Sequence, residues 1–204
     1  VDNDAIATAR NIMASESMFR AGIAAFILVL ITDLVIGWAL FVVLRPADAN
    51  LSLLALIFRA AYSIAHIGVA LSLLNALQFA REPVLAAGLD AGAPALSYFF
   101  FTSHGLGFTV TLIFFGVHLL VLGALIVRAR YIPRAIGWLV MIAGLGYTLD
   151  GFGTILLGSY GAYADLAETA VIIPALIGEG ALMLWLIIRG VDKRRFSEAA
   201  QADT

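Results

Sequence analysis

Five long apolar stretches, separated by short polar segments, dominate the chain. They cover about residues 20–44, 51–80, 96–127, 135–157 and 170–188. A helix rises about 1.5 Å per residue, so roughly 20 apolar residues are enough to cross the hydrocarbon core of a bilayer. The pattern therefore predicts an all-α, polytopic transmembrane helix bundle with five spans in this chain.

Proline residues and polar turns mark the ends of these spans. Arg45-Pro46 follows the first span, and proline cannot continue a helix and disfavours the helical conformation of the residue before it. Residues 81–95 and 159–169 are rich in polar residues or in Pro and Gly, which predicts a loop in each place. Residues 128–134 form a predicted basic turn.

The two ends of the chain lie outside the spans. Residues 1–19 are polar with spaced apolar positions, which predicts an interfacial helix or a loop. Residues 191–204 predict a solvated, frayed, basic tail on the cytoplasmic side. We expect one transmembrane bundle domain over residues 1–190, without an internal linker.

The basic residues predict the orientation in the membrane, because loops rich in Lys and Arg remain in the cytoplasm. One side carries Arg45, Arg128, Arg130, Arg134, Arg189, Lys193, Arg194 and Arg195, and the other carries Arg10, Arg20 and Arg81. This bias predicts a cytoplasmic C-terminus in a bacterial inner membrane. Five spans then place Val1 outside, yet residues 1–19 contain no apolar signal segment. We therefore expect a further helix, or a cleaved signal sequence, upstream of Val1, and we predict six helices in the native protein.

Composition agrees with a membrane protein. Hydrophobic residues make up 62% of the 204 residues, charged residues make up 13%, and the mean hydropathy is +1.00. Soluble domains have about half apolar and about a quarter charged residues. A net charge of −2 gives no reason to expect a nucleic-acid partner. Because the chain has no cysteine, it has no disulfide, thiolate metal site or covalently attached haem.

Charge-capable side chains inside the apolar stretches are the candidate functional residues. They are Asp33, Arg59, His66, His118, Asp150 and Glu179. Ions in hydrocarbon are costly, so these groups must pair or be neutralised, and such residues are often functional. Arg59 cannot lose its proton, and its natural partners are Asp33 and Glu179.

Two interpretations of this polar core remain open. It can be a buried network of ion pairs that sets the helix register, or a polar cavity or path for a solute or a proton. In the second interpretation the acidic residues and Arg59 bind the solute, and His66 and His118 form a titratable relay.

Histidine spacing offers a further, lesser alternative. His104 and His118 are 14 residues apart and lie on similar faces of one helix, as in four-helix haem b proteins. With His66 as the one remaining histidine, a single haem between His66 and His118 is conceivable. A zinc site that combines these histidines with Asp33 or Asp150 is also conceivable, but no HxxxH or HExxH pair is present. We expect neither cofactor.

A regular series of glycines runs through the fourth span. Gly137, Gly144, Gly151 and Gly158 follow one another at seven-residue intervals, close to two helical turns. Small residues let transmembrane helices approach closely. The series predicts a tightly packed helix, with a hinge as the alternative.

Several motifs resemble a known membrane family. Among them are Phe114-Phe115-Gly116-Val117-His118, Arg130-Tyr131-Ile132-Pro133-Arg134 and Gly144-Leu145-Gly146-Tyr147-Thr148-Leu149-Asp150. Together with similar matches over about residues 8–190, they resemble the bacterial multi-pass family catalogued as domain of unknown function 4386. The resemblance implies a membrane bundle with one more helix upstream. It also implies polar positions at Asp33, Arg59, His104, His118, Asp150 and Glu179, and it implies no reaction.

The leading functional hypothesis is an integral inner-membrane protein that is not an enzyme and that contacts membrane lipids. Its polar core would bind or pass a small solute, a lipid group or a proton. One alternative is an accessory structural subunit of a membrane-protein complex, or a homo-oligomer. Another is an intramembrane enzyme that depends on a metal or on haem.

Overall fold

All regular structure in the described residues is helical. The computed structural model describes residues 4–81, 92–158 and 160–202. The helices are α1 (Ala5–Ala14), α2 (Glu16–Leu44), α3 (Ala49–Arg81), α4 (Ala93–Ala129), α5 (Arg134–Leu156), a short 3-10 helix (Tyr160–Tyr163), α6 (Ala164–Ile188) and α7 (Lys193–Ala202). Helices α2 to α5 and residues 169–188 of α6 are long and apolar enough to cross a membrane. The all-α class and the five spans are confirmed.

The observed helix bounds lie within about one turn of the predicted ones, with an exception at α6. The sequence predicted a loop through residue 169, but the 3-10 helix and the start of α6 occupy residues 160–169. Residues 82–91 of the predicted loop 81–95 lie outside the described residues. Helix α1 begins after Asp4, whose carboxylate accepts a hydrogen bond from the Ala7 N–H at 2.8 Å. Its interfacial position stays a prediction.

The prediction of a frayed C-terminal tail was wrong, because residues 193–202 form α7. The carboxylate of Asp192 accepts hydrogen bonds from the N–H groups of Arg194 and Arg195, both at 3.1 Å, and so caps the helix. The Phe196 ring packs edge-on against Tyr131 with 5.5 Å between ring centroids. The N-terminal cap and the aromatic contact thus stabilise a helix in a segment for which the polar composition predicted a frayed tail.

Two compact units divide the chain. Unit 1 comprises residues 1–32 and 63–108, and unit 2 comprises residues 33–62 and 109–204. The prediction of a single bundle domain over residues 1–190 stays a prediction. In unit 1, an ion pair of 2.5 Å joins Arg81 at the end of α3 to Glu16 at the start of α2.

Unit 2 contains an extensive apolar core along the second part of α4. Leu119, Leu122, Leu125 and Ile126 are almost fully buried there. Tyr131, in the turn after α4, is also buried, and its hydroxyl donates to the Val43 carbonyl at 2.7 Å. Burial raises the pKa of the Tyr131 phenol to about 12, so the hydroxyl remains a donor at neutral pH.

Glycines let α4 and α5 approach each other closely in unit 2. A Cβ atom added to Gly144 would lie 2.6 Å from the carbonyl oxygen of Gly116, and one added to Gly137 would lie 2.7 Å from that of Gly123. Each pair is reciprocal, since a Cβ added to Gly116 or Gly123 would meet its partner's carbonyl at 2.7 and 2.5 Å. The predicted glycine seam is therefore confirmed as a close helix contact, and its partner is a second pair of glycines seven residues apart.

The remaining glycines of the predicted series differ in their surroundings. A Cβ on Gly151 would meet the side chain of Ile113 on α4, which extends the seam by another two turns. Gly158 lies beyond the end of α5, and a Cβ there would meet nothing within 4 Å. On another face of α5, a Cβ on Gly178 of α6 would lie 2.7 Å from the Leu139 carbonyl oxygen. Small residues thus set the contacts of α5 with α4 and with α6.

We predict that Gly116→Ala destabilises the protein although alanine favours helices. The added methyl group would push α4 away from the Gly144 backbone, at a cost of about 1–3 kcal/mol in unfolding free energy. Gly105→Ala on the same helix is the control, because a Cβ there meets nothing within 4 Å. Thermal unfolding in detergent micelles measures both variants. Equal melting temperatures for Gly116→Ala and the wild type would contradict the close contact.

Candidate functional site

Arg59 of α3 forms the centre of a buried polar cluster in unit 2. Its guanidinium makes an ion pair with the Asp33 carboxylate of α2, and its Nε donates to the Asp33 backbone carbonyl at 3.0 Å. The Arg59 side chain is 9% exposed and that of Asp33 is 15% exposed, so the ion pair is largely buried. A Cβ on Gly37, one turn after Asp33, would lie 2.9 Å from the Arg59 Cδ. The glycine therefore leaves room for the arginine stem.

His118 of α4 is held by hydrogen bonds at both ring nitrogens. Its Nε2 lies 3.1 Å from the Arg59 Nη1, and its Nδ1 lies 2.8 Å from the Ala55 carbonyl oxygen. A guanidinium only donates, so Nε2 accepts and Nδ1 carries the proton that it donates to Ala55. Adding a proton to Nε2 would break the bond to Arg59 and place two cations in contact. A relay through His118 would therefore require this contact to open.

The ring of Phe115 lies between the Arg59 cluster and Tyr147, which belongs to a second polar pair. The guanidinium carbon of Arg59 lies 5.4 Å from the centre of the Phe115 ring, a distance that allows a cation–π interaction. The same ring contacts the edge of Tyr147 at 5.6 Å between centroids. Tyr62 packs on it as well, at 4.9 Å.

Glu179 of α6 is bound by the phenol of Tyr147 on α5. The Tyr147 hydroxyl donates to Glu179 Oε1 at 3.1 Å. Among the described residues, no carboxylate other than Asp33 lies within ion-pair distance of Arg59, so Glu179 does not share the ion pair. Of the two partners that the sequence predicted for Arg59, the structure pairs it with Asp33.

A cavity of about 700 Å³ in unit 2 is lined by one member of the Arg59–Asp33 pair and by both members of the Tyr147–Glu179 pair. Its lining includes Arg59, Tyr147 and Glu179. All other lining residues are apolar, and they are Ile36, Leu40, Leu119, Leu122, Ile172, Ala175, Leu176, Gly180, Leu182, Met183, Leu186 and Ile187. The cavity thus offers a small polar end and a long apolar wall.

Asp150 is bound outside this cavity. Its Oδ1 accepts a hydrogen bond of 2.7 Å from the Tyr160 hydroxyl of the 3-10 helix. Removal from water and this hydrogen bond raise the pKa of the Tyr160 phenol to about 12, which keeps it a donor at neutral pH. A Cβ on Gly153 would lie 2.5 Å from the Tyr160 ring, so this glycine gives the ring its place.

His66 and His104 lie together in unit 1, in an aromatic cluster with Phe26 and Phe108. The ring centroid of Phe26 lies 5.8 Å from that of His66 and 5.7 Å from that of His104, and both contacts are edge-on. His66 is completely buried. His118, the other half of the conceivable haem site, belongs to unit 2.

Metal ligation has little support in the described part of the chain. No group of three or more His, Asp or Glu side chains there is arranged to hold a metal ion. Both ring nitrogens of His118 are already in hydrogen bonds, so a metal would have to displace Arg59 or Ala55. The expectation that the protein carries no haem or zinc stays a prediction.

Sequence reasoning missed three aromatic members of these polar clusters. They are Phe115, Tyr147 and Tyr160, which contact Arg59, Glu179 and Asp150 respectively. One signal was present for Tyr147, because a phenol in the middle of an apolar span needs a hydrogen-bond partner. Phe115 carried no such signal, since a phenylalanine in a membrane helix is usually in contact with lipid or with the core.

Comparison with known proteins identifies relatives without an assigned activity. The family model described as "Domain of unknown function (DUF4386)" matches residues 1–190. A protein of Archaeoglobus fulgidus named "Uncharacterized protein" is 30% identical over 176 residues, which cover 86% of each chain. No solved structure matches this chain.

We predict that Arg59 and Asp33 depend strongly on each other for stability. Arg59→Met should lower the unfolding free energy by about 3–5 kcal/mol, because it leaves a buried carboxylate without its guanidinium. Arg59→Met combined with Asp33→Leu should lose less than the two single changes together, since the double variant buries no unpaired ion. Reversible unfolding in mixed micelles measures the losses, with the exposed Arg189→Met as control. If the loss of unfolding free energy in the double variant equals the sum of the two single losses, Arg59 and Asp33 do not stabilise each other.

Proposed function

The chain belongs to the DUF4386 family, and we propose that it is a non-catalytic membrane protein that binds a small amphiphilic molecule. The bound molecule would occupy the cavity of unit 2. Its polar group would contact Glu179 and Tyr147, and its apolar part would lie along the wall formed by α6. The observation that supports this function is the lining of the cavity, in which three polar side chains face an otherwise apolar surface.

The size of the cavity agrees with a small-molecule ligand. Sites for small molecules usually measure about 300–1,000 Å³ and combine apolar walls with a few polar groups that orient the ligand. The volume of about 700 Å³ lies within that range. Leu176, Met183 and Ile187 line the cavity and are also exposed. In a membrane these side chains face lipid, so a ligand can enter from the hydrocarbon.

The charges around the cavity favour a ligand with a hydrogen-bond donor. Asp33 neutralises Arg59, so the cation is already satisfied within the protein. Glu179 has Tyr147 as its hydrogen-bond partner, and its second carboxyl oxygen has none among the described residues. A hydroxyl, amide or amine on the ligand would supply the missing donor.

We assign the protein to the cytoplasmic membrane, with its C-terminus in the cytoplasm. The excess of Lys and Arg on the side of the C-terminus supports this orientation. Binding is a better account of the polar core than proton relay, because His118 uses both ring nitrogens within the cluster.

We predict that Glu179→Gln removes the bound molecule without unfolding the protein. The amide oxygen accepts hydrogen bonds more weakly than a carboxylate, and losing a bond to a charged group costs about 1.5–3 kcal/mol, or about tenfold or more in affinity. Gentle purification, solvent extraction and mass spectrometry measure the co-purified small molecule per mole of protein. The wild type should retain one compound near equal stoichiometry, and the variant should retain about tenfold less.

Asp150→Asn is the matched control, because it also changes an acid in a span to an amide but lies outside the cavity lining. It should retain the compound at the wild-type level. If Glu179→Gln and Asp150→Asn retain equal amounts, Glu179 does not bind the ligand. A wild-type protein that carries no compound would favour a purely structural role of the polar core, as in an accessory subunit.

A further inference from the structure

A second, basic pocket lies in unit 2 where α4 ends and α5 begins. Its volume is about 830 Å³, and four arginines line it: Arg128, Arg130, Arg134 and Arg195. Glu198 is the one acidic side chain in the lining. This pocket shares no lining residue with the cavity that contains Glu179.

The acidic residues near the pocket leave part of its positive charge unbalanced. Asp48 accepts a hydrogen bond of 2.7 Å from Arg128, and Asp192 lies 3.8 Å from Arg195. Glu198 makes its ion pair with Arg194 at 3.0 Å. Within the described residues, Arg130 and Arg134 have no acidic partner for their side chains. Two guanidinium groups are therefore available to an anion.

The backbone conformation of Arg130 is unusual for a residue that has a side chain. Its φ angle is +59°, in the left-handed region that side chains with a Cβ rarely adopt. Helices commonly end on a residue of this conformation, and glycine is the usual choice. At the end of α6 this chain does place a glycine, Gly190, with a φ angle of +67°. At the end of α4 it places an arginine that faces the basic pocket.

Backbone contacts hold the pocket in shape. Arg195 Nη1 donates to the Arg130 carbonyl at 2.9 Å, which fixes α7 to the turn after α4. The backbone N–H of Asp192 donates to the Tyr131 carbonyl at 3.0 Å. The Arg195 side chain and the backbone that carries Arg130 are thus positioned before any ligand arrives, which lowers the entropic cost of binding.

We propose that the basic pocket binds a phosphate group, and that an anionic phospholipid headgroup supplies it. Guanidinium groups bind phosphate oxygens through paired, charge-assisted hydrogen bonds. The pocket lies at the ends of spans α4 and α5, the level at which lipid phosphates lie in a bilayer. Basic pockets at this level are suited to anionic headgroups. A soluble phosphate compound would use the same chemistry.

Lipid binding by the purified full chain tests the proposal. Native mass spectrometry in detergent measures binding of phosphatidylglycerol, with the electrically neutral phosphatidylcholine as a headgroup control. Arg130→Gly should weaken phosphatidylglycerol binding by about tenfold, as expected for loss of a bond to a charged group. The same variant should unfold at the wild-type temperature or above, because glycine relieves the left-handed conformation. A residue that is merely structural would not show weaker binding together with unchanged or higher stability.

A pair of charge-matched double variants separates a built site from general electrostatic attraction. Arg130→Gly with Arg134→Gln removes two charges from the pocket lining, and Arg189→Gln with Lys193→Gln removes two charges outside it, one just after α6 and one at the start of α7. The first should abolish the preference for phosphatidylglycerol, and the second should change it by less than about twofold. Equal losses in the two double variants, or no loss in the first, would overturn the proposal.

Inorganic phosphate distinguishes the two sources of the phosphate group. With the lipid as the source, free phosphate should compete weakly with phosphatidylglycerol, because it lacks the acyl chains that add apolar contact. If isothermal titration shows that inorganic phosphate binds the wild type as tightly as the lipid does, the phosphate site stands and the lipid assignment is overturned.

Discussion

The cation of Arg59 is the constraint on which the organisation of unit 2 depends. A guanidinium cannot be neutralised by losing its proton, so a membrane helix that carries it must be surrounded by groups that accept its hydrogen bonds. Asp33 supplies the charge, His118 supplies a ring nitrogen, and Phe115 supplies a π face. These partners come from α2 and α4, so the cation links three helices at one point. The tautomer of His118 and the position of Phe115 follow from the same requirement.

Close helix packing makes the second half of this arrangement possible. The reciprocal glycine pairs bring the backbones of α4 and α5 together, and this proximity allows Tyr147 to reach from the Phe115 ring to Glu179. Lipid offers no hydrophobic drive for helices to associate, so close van der Waals contact and buried polar bonds must hold them. In unit 2 these two forces act at the same place. The glycines determine how near the helices come, and the polar groups determine their rotation.

The polar residues of the spans belong to different clusters and have different contacts. The pair of Arg59 and Asp33 is satisfied within the protein, whereas Glu179 faces a cavity with capacity for another donor. Asp150 fastens the 3-10 helix through Tyr160, and His66 belongs to an aromatic cluster of unit 1. The sequence analysis grouped these residues together because each of them is costly to place in hydrocarbon. The basic pocket at the end of α4 adds a polar site of a different kind, suited to the membrane surface.

Hydropathy and bilayer thickness act on each segment locally, so the amino-acid pattern was enough to predict the all-α class, the five spans and the intramembrane polar residues. It also indicated the contact face of α5, since a seven-residue glycine series repeats on one side of a helix. Which polar groups contact each other became visible only in the folded protein. Glu179 pairs with Tyr147 and not with Arg59, and the polar tail forms α7 through contacts of Phe196 and Arg195. Such partners depend on the rotation and depth of neighbouring helices, and a difference of one residue turns a side chain by about 100°. Local pattern carries no information of that kind, because the distances arise between segments that are far apart in the chain.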